Sequence, residues 1–221
     1  MNSIILIKFI VVFICILALV KGNLITLDGQ CPFGDLKPAP VIAAALLDNA
    51  TFLTRQTSLV FHAVAETAPL SGNNLTDISS ILEHTKLPDN QLGGVKFIIH
   101  FRSKETSKCD QYEIIFKPTI QPGVYDLLYQ VAPGADFVNY KGYILSYKPD
   151  IFLSVLFICH NLPNSEYQFE ISVLSANSLI YNSQIQQETN KVLEENNLQY
   201  FAPYVTAINQ QNGLDKNCLL V

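Results

Sequence analysis

Short runs in which apolar and polar residues alternate recur through most of this chain, and turn-forming residues separate them. In the run Tyr167–Leu174, positions 167, 169, 171 and 173 are Tyr, Phe, Ile and Val, whereas positions 168, 170 and 172 are Gln, Glu and Ser. A period of two residues is typical of a β-strand with one buried and one solvated face. We therefore expect Gln168, Glu170 and Ser172 to face water.

Several such runs follow one another. Three of them, rich in β-branched and aromatic residues, predict an antiparallel meander: Tyr143–Tyr147, Ile151–Cys159 and Tyr167–Leu174. Upstream, further strands are predicted at Thr51–Glu66 (one bent strand or two), Gly94–Arg102, Asp110–Ile120 and Gly123–Val131. Seven or eight strands at intervals of roughly 10 to 15 residues favour an all-β barrel or sandwich.

One segment near the end changes period. From Asn182 to Asn197, Ile185, Val192 and Leu193 recur at helical spacing, and polar residues fill the other side. This pattern predicts one amphipathic helix that lies on the sheet, with the paired carboxylates Glu194 and Glu195 on its solvated face.

The stretches between the strands have their own signals. Prolines at 32, 38 and 40 make Cys31–Pro40 an arm that cannot be a central strand. Val41–Leu47 fits a short helix or a first strand, and Pro69–Asn74 is a turn. We interpret Ile78–His84 as a helical turn inside a long loop.

The first 22 residues have the pattern of a secretory leader. Lys8 precedes an uncharged apolar run, Phe9–Val20, and Val20 and Gly22 suit cleavage. The alternative, an uncleaved anchor, is disfavoured because a membrane span needs about 20 apolar residues. We expect residues 1–22 to be removed, residues 23–221 to form one secreted, extracellular domain, and no membrane span to remain.

Charge and composition restrict the classes of partner that the chain can bind. Loss of Lys8 and Lys21 with the leader leaves 12 basic and 19 acidic residues, a formal charge of −7 that repels nucleic acid and anionic membranes. With 49% apolar residues, including 10 Tyr and 13 Phe, the chain has a well-filled interior. An apolar lumen, an oligomer interface or a rich core would each explain this composition, and oligomeric state stays open.

Four cysteines remain after the leader: Cys31, Cys109, Cys159 and Cys218. An even number in an oxidising compartment predicts two disulfides, with three connectivities open from the sequence. Their wide spacing disfavours a compact zinc site.

Several short motifs together resemble the lipocalin family, in particular apolipoprotein D and the insect bilin-binding proteins. They are Tyr143-Ile-Leu-Ser-Tyr147, an apolar residue followed by Cys159, Val173-Leu-Ser175, the single helix after them, the late Cys218, and Asp28-Gly-Gln-Cys-Pro32 near the mature start. The resemblance covers about 80 residues, and the middle of the chain matches only in strand character.

The resemblance implies an eight-stranded antiparallel up-and-down barrel with the helix packed outside, and disulfides Cys31–Cys159 and Cys109–Cys218. Each bridge would close a loop of more than 100 residues, worth on the order of 4 to 5 kcal/mol in the chain-entropy model. The chain departs from the family in one respect: it contains no Trp, so the Gly-x-Trp motif that closes the barrel is missing. Phe52 or Phe61 could take that place.

A lipocalin-like barrel binds a small hydrophobic molecule, such as a lipid or pigment, in its lumen, and we expect no other cofactor. The candidate lining residues are the apolar positions of the predicted strands; the alternative is that they fill a dry core or face the helix. They are Phe97, Ile99, Tyr112, Ile114, Phe116, Tyr125, Leu127, Tyr129, Tyr143, Leu145, Phe157, Phe169 and Ile171.

Catalytic and metal-binding motifs are missing from the sequence. His62, His84, His100 and His160 have no metal-ligand spacing, and there is no Gly-x-Ser-x-Gly elbow. Neighbouring residues on a strand face opposite ways, which disfavours a thiol nucleophile at Cys159-His160, and Gly93-Gly94 is a turn and not a phosphate loop. We therefore predict no catalytic residues, no metal and no enzymatic activity.

Two sequons, at Asn49 and Asn74, are predicted glycosylation sites. A polar loop over Pro69–Asn90 motivates the alternative function, a secreted effector or inhibitor that binds a protein partner through its loops.

Overall fold

The computed structural model describes residues 25–39, 60–67, 75–85, 94–130, 132–148, 153–176, 178–210 and 218. The predicted leader, the sequon residues Asn49 and Asn74, Phe52 and the segments 41–47 and 69–74 lie outside these residues.

Ten strands of the described chain form one antiparallel sheet. Their bounds are β1 Thr26–Asp28, β2 Val60–Glu66, β3 Leu75–Thr85, β4 Gly94–Ser103, β5 Cys109–Pro118, β6 Val124–Gln130, β7 Phe137–Lys148, β8 Leu153–Asn161, β9 Glu166–Ser175 and β10 Thr206–Ala207.

Strands β2 to β9 close into a barrel. Each pairs with the next in sequence, and β9 also pairs with β2, so the sheet has no free edge within this set. β1 pairs with the first residues of β9, and β10 pairs with the last residues of β2. The predicted eight-stranded up-and-down barrel is confirmed.

One prediction for the middle of the chain is wrong. Ile78–His84 is not a helical turn, because all of it lies in β3, which pairs with β4 from Leu75↔Ser103 to Thr85↔Gly94. Ile78 and Ile81 are flanked by Ser and Asp, which hides the period-two pattern that marks the other strands. The predicted loop Pro69–Asn90 therefore contains an 11-residue strand.

The predicted helix is α1, Ser183–Glu195, and it lies outside the barrel. Asn182 caps its first turn by accepting a 3.0 Å hydrogen bond from the Ile185 backbone N–H. Val192 and Leu193 pack on outward-facing residues of β8 and β9, while Ile185 packs on Val64 and Ala65 of β2. Glu194 and Glu195 are exposed, as predicted.

Both disulfides have the pairing that the family resemblance implies. Cys31 joins Cys159 with 6.0 Å between Cα atoms, and Cys109 joins Cys218 with 5.2 Å. The first ties the N-terminal arm to β8, and the second ties the C-terminal tail to the start of β5.

The arm crosses one end of the barrel. After a short 3-10 helix at Phe33–Asp35, Ala39 donates a backbone hydrogen bond of 2.9 Å to Ile144 and packs against the barrel interior. Gly123 has a φ of +77°, and a Cβ there would lie 2.6 Å from Pro38. The arm thus presses on the β5–β6 turn where only glycine fits.

Aromatic rings fill the interior behind this arm, in a chain that lacks tryptophan. Phe97 and Phe116 lie 4.6 Å apart between ring centroids, and Phe116 and Tyr125 lie 5.5 Å apart. Phe61, one of the two predicted substitutes for the missing Trp, is buried in the same interior cluster. The closure at this end is therefore shared among several rings.

Candidate functional site

A cavity of about 30 Å³, which is small for a ligand site, lies inside the barrel. Apolar side chains form most of its wall, and polar ones form the rest. Among the described residues, those that line it are Ala63, Glu66, Ile78, Ser79, Ser80, Phe97, Ile99, Tyr112, Ile114, Phe116, Leu156, Glu170, Ser172 and Leu174.

Eight of the thirteen predicted lining residues belong to the buried cluster inside the barrel. Of these, Phe97, Ile99, Tyr112, Ile114 and Phe116 also line the cavity. The other three, Tyr125, Leu127 and Tyr129, pack beside them without lining it. The apolar faces of β4, β5 and β6 therefore point into the lumen, as the alternation of apolar residues predicted.

The other five predicted residues do not face the lumen. They lie in the cluster between the sheet and α1, together with Val192 and Leu193 of the helix. On β9 the apolar face points outward, where the helix covers it. β7 and β8 carry apolar residues on both faces, and Ile144, Leu156 and Ile158 are the ones inside the barrel. The five predicted residues are Tyr143, Leu145, Phe157, Phe169 and Ile171.

The polar face of β9 points into the barrel instead. Glu170 is only 3% exposed, and Ser172 is buried beside it. The Tyr129 hydroxyl donates a 3.0 Å hydrogen bond to Glu170 Oε2, and the Ser172 hydroxyl donates one of 2.9 Å to Glu170 Oε1. The predicted exposure of Glu170 and Ser172 to water is therefore wrong.

A β-bulge brings a second carboxyl group into the same place. Ala63 pairs with Leu174 and faces the lumen, so simple alternation would turn Ala65 inward and Glu66 outward. A register shift between Ala63 and Ala65 reverses this: Ala65 pairs with Val173 on the outer side, and Glu66 pairs with Ser172 on the inner side. Sequence alternation alone could not have found Glu66.

The two carboxyl groups influence each other and the tyrosines around them. Burial, followed by the charge of Glu170, raises the pKa of Glu66 well above its ordinary value, and Lys104 opposes the rise. Burial and then Glu170 also raise the pKa of both Tyr112 and Tyr129 well above 10. The hydroxyls of these two tyrosines lie 3.5 Å apart. These side chains form an acidic patch on the otherwise apolar wall of the cavity, and hydrogen bonds join four of them, Tyr112, Tyr129, Glu170 and Ser172. The acidic patch consists of Glu66, Tyr112, Tyr129, Glu170 and Ser172.

The histidines do not form a metal site in the described part of the chain. Burial lowers the pKa of His62 and of His100, and His160 packs its ring 4.9 Å from Tyr140. Within the described ranges, no group of three His, Cys, Asp or Glu side chains could hold a metal ion. In the same residues, no helix combines the length and apolar character that a membrane crossing requires.

Comparisons with known proteins match the fold and not the sequence. No family model and no curated protein matches the chain. Insecticyanin from the tobacco hornworm Manduca sexta superposes with a TM-score of 0.60 at 16% identity, covering 89% of this chain and 93% of that one. Lobster apocrustacyanin A1 gives 0.58 at 11% identity, covering 87% and 96%. H1 crustacyanin from the lobster Homarus americanus gives 0.55 at 12% identity, covering 87% and 95%.

A closed barrel of eight antiparallel strands with one helix outside is an up-and-down barrel architecture. These likenesses identify the architecture within that class as the lipocalin fold, in agreement with the resemblance carried by the sequence motifs. At these identities, what the comparisons establish is the fold.

Proposed function

We propose that the protein is a secreted carrier, not an enzyme, that binds one small, largely hydrophobic molecule inside its barrel. The observation that carries this proposal is the cavity itself, which lies within a closed barrel and has a mostly apolar wall. Transfer of apolar ligand surface from water into such a wall is favourable by roughly 25 cal/mol per Å². The leader-like N-terminus and two long-range disulfides support secretion.

The cavity also limits the ligand. A space of about 30 Å³ holds only a small group without rearrangement. A guest as large as a tetrapyrrole or a carotenoid would have to displace several interior rings, including Phe97 and Phe116. We therefore favour a compact ligand. The effector alternative depended on a loop over Pro69–Asn90, and much of that segment is strand β3.

Isothermal titration calorimetry with benzene, a compact neutral ligand, tests the carrier proposal. We expect saturable binding of one benzene molecule per chain in the wild type. Ile114→Trp places an indole in the cavity wall and should abolish binding, whereas Ile120→Trp, at a fully exposed position, should leave it unchanged. Far-UV circular dichroism shows whether both variants are folded. Benzene binding that is the same in all three proteins would place the ligand elsewhere and contradict the proposal.

A further inference from the structure

Strands β2 and β3 diverge at one end of the barrel wall. The two strands pair in register over three residues each, ending at His62↔Ser79. Among the residues that the structure describes, no register pair joins positions 63–66 of β2 to positions 75–78 of β3. Neighbouring strands of a closed barrel share hydrogen bonds, so another element has to complete this part of the wall.

The C-terminal segment Thr206–Gln210 lies between the diverging strands. On one side its first two residues, which form β10, pair with the last two residues of β2. On the other side the Asn209 carbonyl accepts a 3.1 Å hydrogen bond from the backbone N–H of Asp77 in β3. The segment is therefore inserted into the wall and bonds to both of its edges.

One side chain of the segment joins the two strands directly. Gln210 Nε2 donates a hydrogen bond of 2.7 Å to the Ala63 carbonyl in β2 and one of 3.0 Å to the Ile78 carbonyl in β3. Ala63 and Ile78 also line the cavity, and Ile208 packs against the cluster inside the barrel. The segment thus lies between the cavity and the outside of the barrel, and Gln210 clamps it there.

The segment is held less firmly than the strands around it. Thr206, Ala207 and Asn209 are exposed, and Ile208 is only half-buried. The segment pairs with β2 at two positions, whereas β4 pairs with β3 and β5 along its length. Segments with few buried apolar contacts and exposed backbone hydrogen bonds open at a lower free energy than the core does. We therefore expect Thr206–Gln210 to detach locally while the barrel stays folded.

We propose that Thr206–Gln210 is a side gate, through which a small ligand enters and leaves the cavity between β2 and β3. This inference rests on the proposed carrier function and concerns the regulation of that site. Opening breaks bonds at the gate and leaves the wall on β4 and β5 in place, so the gate controls the rates of exchange and not the affinity. The Cys109–Cys218 disulfide ties the chain beyond the gate to the start of β5, which keeps a detached segment near the barrel.

Exchange of fluorobenzene, a benzene analogue followed by fluorine NMR, tests the gate in the full, oxidised chain. Gln210→Ala removes both hydrogen bonds of the clamp. The association and dissociation rate constants should therefore each rise at least about fivefold, while Kd changes by less than about twofold. Gln187→Ala makes the same change at an exposed position of α1 and should alter neither rate constant.

A covalent lock should have the opposite effect. Ala65 and Ala207 lie directly opposite each other. The next pair along shares a hydrogen bond from the Ile208 N–H to the Val64 carbonyl, so the two alanines form a non-hydrogen-bonded pair with Cα atoms about 4.5 Å apart, which suits a disulfide. Oxidised Ala65→Cys/Ala207→Cys should slow both rate constants at least about fivefold relative to the unbridged control Ala65→Ser/Ala207→Ser.

Hydrogen exchange measures the local opening itself. The backbone amides of Ile208 and Asp77 donate on the two sides of the gate. In the wild type they should exchange faster than the amides of β8, which pairs with strands on both sides along its length. The lock should slow the exchange of the Ile208 amide.

The outcomes are distinct. If the locked protein exchanges fluorobenzene as fast as its Ser control, the ligand takes another route, and the gate is overturned while the carrier function stands. Exchange of the Ile208 and Asp77 amides as slow as that of β8 overturns the gate in the same way. If fluorobenzene does not bind the wild type, the carrier function fails and the gate fails with it. Should the lock not form, unchanged rate constants in Gln210→Ala overturn the gate.

Discussion

The Tyr129 hydroxyl donates a 3.0 Å hydrogen bond to the Glu170 carboxylate inside the barrel, and both side chains are at most 3% exposed. The two residues are 41 positions apart, on β6 and β9, which do not pair with each other. Their contact therefore spans the lumen and fixes the acidic patch across it. A buried carboxylate that loses such a donor bears much of its desolvation cost uncompensated.

Tyr129→Phe should lower the free energy of unfolding by about 1–3 kcal/mol, because it removes a hydrogen bond to a buried charged group without creating a cavity. Urea unfolding monitored by circular dichroism measures this. Tyr204→Phe removes a hydroxyl from a ring that is 42% exposed and serves as the control, with an expected change below about 0.5 kcal/mol. Equal stability of Tyr129→Phe and wild type would show that the hydrogen bond does not support the fold.

Glu66 should make the protein less stable as the pH rises. Its pKa is raised in the folded state by burial and by Glu170, so the folded chain binds more protons than the unfolded chain above about pH 4.5. The stability associated with the protonated form is complete below that pH and is lost as the pH rises through the folded-state pKa.

Glu66→Gln should remove this dependence. In urea unfolding series, the variant's stability relative to wild type is expected to increase as the pH rises from about 4.5 through the folded-state pKa of Glu66, and to level off above it. The same series with Glu194→Gln should give a difference that does not vary with pH, since Glu194 is exposed on α1. A flat difference for Glu66→Gln as well would mean that its carboxyl group is solvated in the folded state.

Much of the architecture could be predicted from the sequence because period-two alternation is local. Strands β4 to β9 were found in this way, and the single helix was found from its helical spacing, whereas the short strand β10 was not predicted. Short family-like motifs were needed to choose among three disulfide connectivities. Which face of a strand points inward is not a local property. On β9 the apolar face carrying Phe169 is outside, covered by Val192 and Leu193, and the polar face is inside.

The acidic patch escaped prediction for two physical reasons. Glu170 was assigned to water because polar residues usually face solvent, and only the barrel's closure makes its face the interior one. Glu66 was hidden by the bulge after Ala63, which reverses the alternation for the rest of β2. Strand β3 was missed because Ser79, Ser80 and Asp77 interrupt its apolar positions.

Gly142 is required by the interior packing. A Cβ added there would lie 2.5 Å from Leu127 Cδ1, and Leu127 is completely buried, so it has little room to move. Gly142→Ala should therefore destabilise the barrel by about 1–3 kcal/mol, as overpacked cores do. Gly34→Ala, where nothing lies within 4 Å of the added Cβ, should be neutral or slightly stabilising. Thermal unfolding monitored by circular dichroism measures the stability of both variants. Equal effects of the two substitutions would show that the strand relaxes around the new methyl group.

Asn196 joins the N-terminal arm to α1 through one side chain. Its Oδ1 accepts a 2.6 Å hydrogen bond from the backbone N–H of Lys37 in the N-terminal arm, and its Nδ2 donates one of 2.9 Å to the Val192 carbonyl in α1. The residue is 3% exposed, so water cannot replace either bond. This side chain thus fastens both the end of the helix and the arm that crosses the barrel.

Asn196→Ala should lower the free energy of unfolding by about 1–3 kcal/mol, because it removes the hydrogen-bond partner of the Lys37 N–H and that of the buried Val192 carbonyl. Asn196→Asp keeps the acceptor for Lys37 and loses the donor to Val192, so it separates the two contributions. Hydrogen exchange should show faster exchange of the Lys37 amide in the Ala variant only. Asn190→Ala, at an exposed position in the middle of α1, controls for helix propensity and should be slightly stabilising. Unchanged protection of the Lys37 amide in Asn196→Ala would mean that the other contacts of the arm, including the Cys31–Cys159 disulfide and the Ala39–Ile144 hydrogen bond, hold it in place without Asn196.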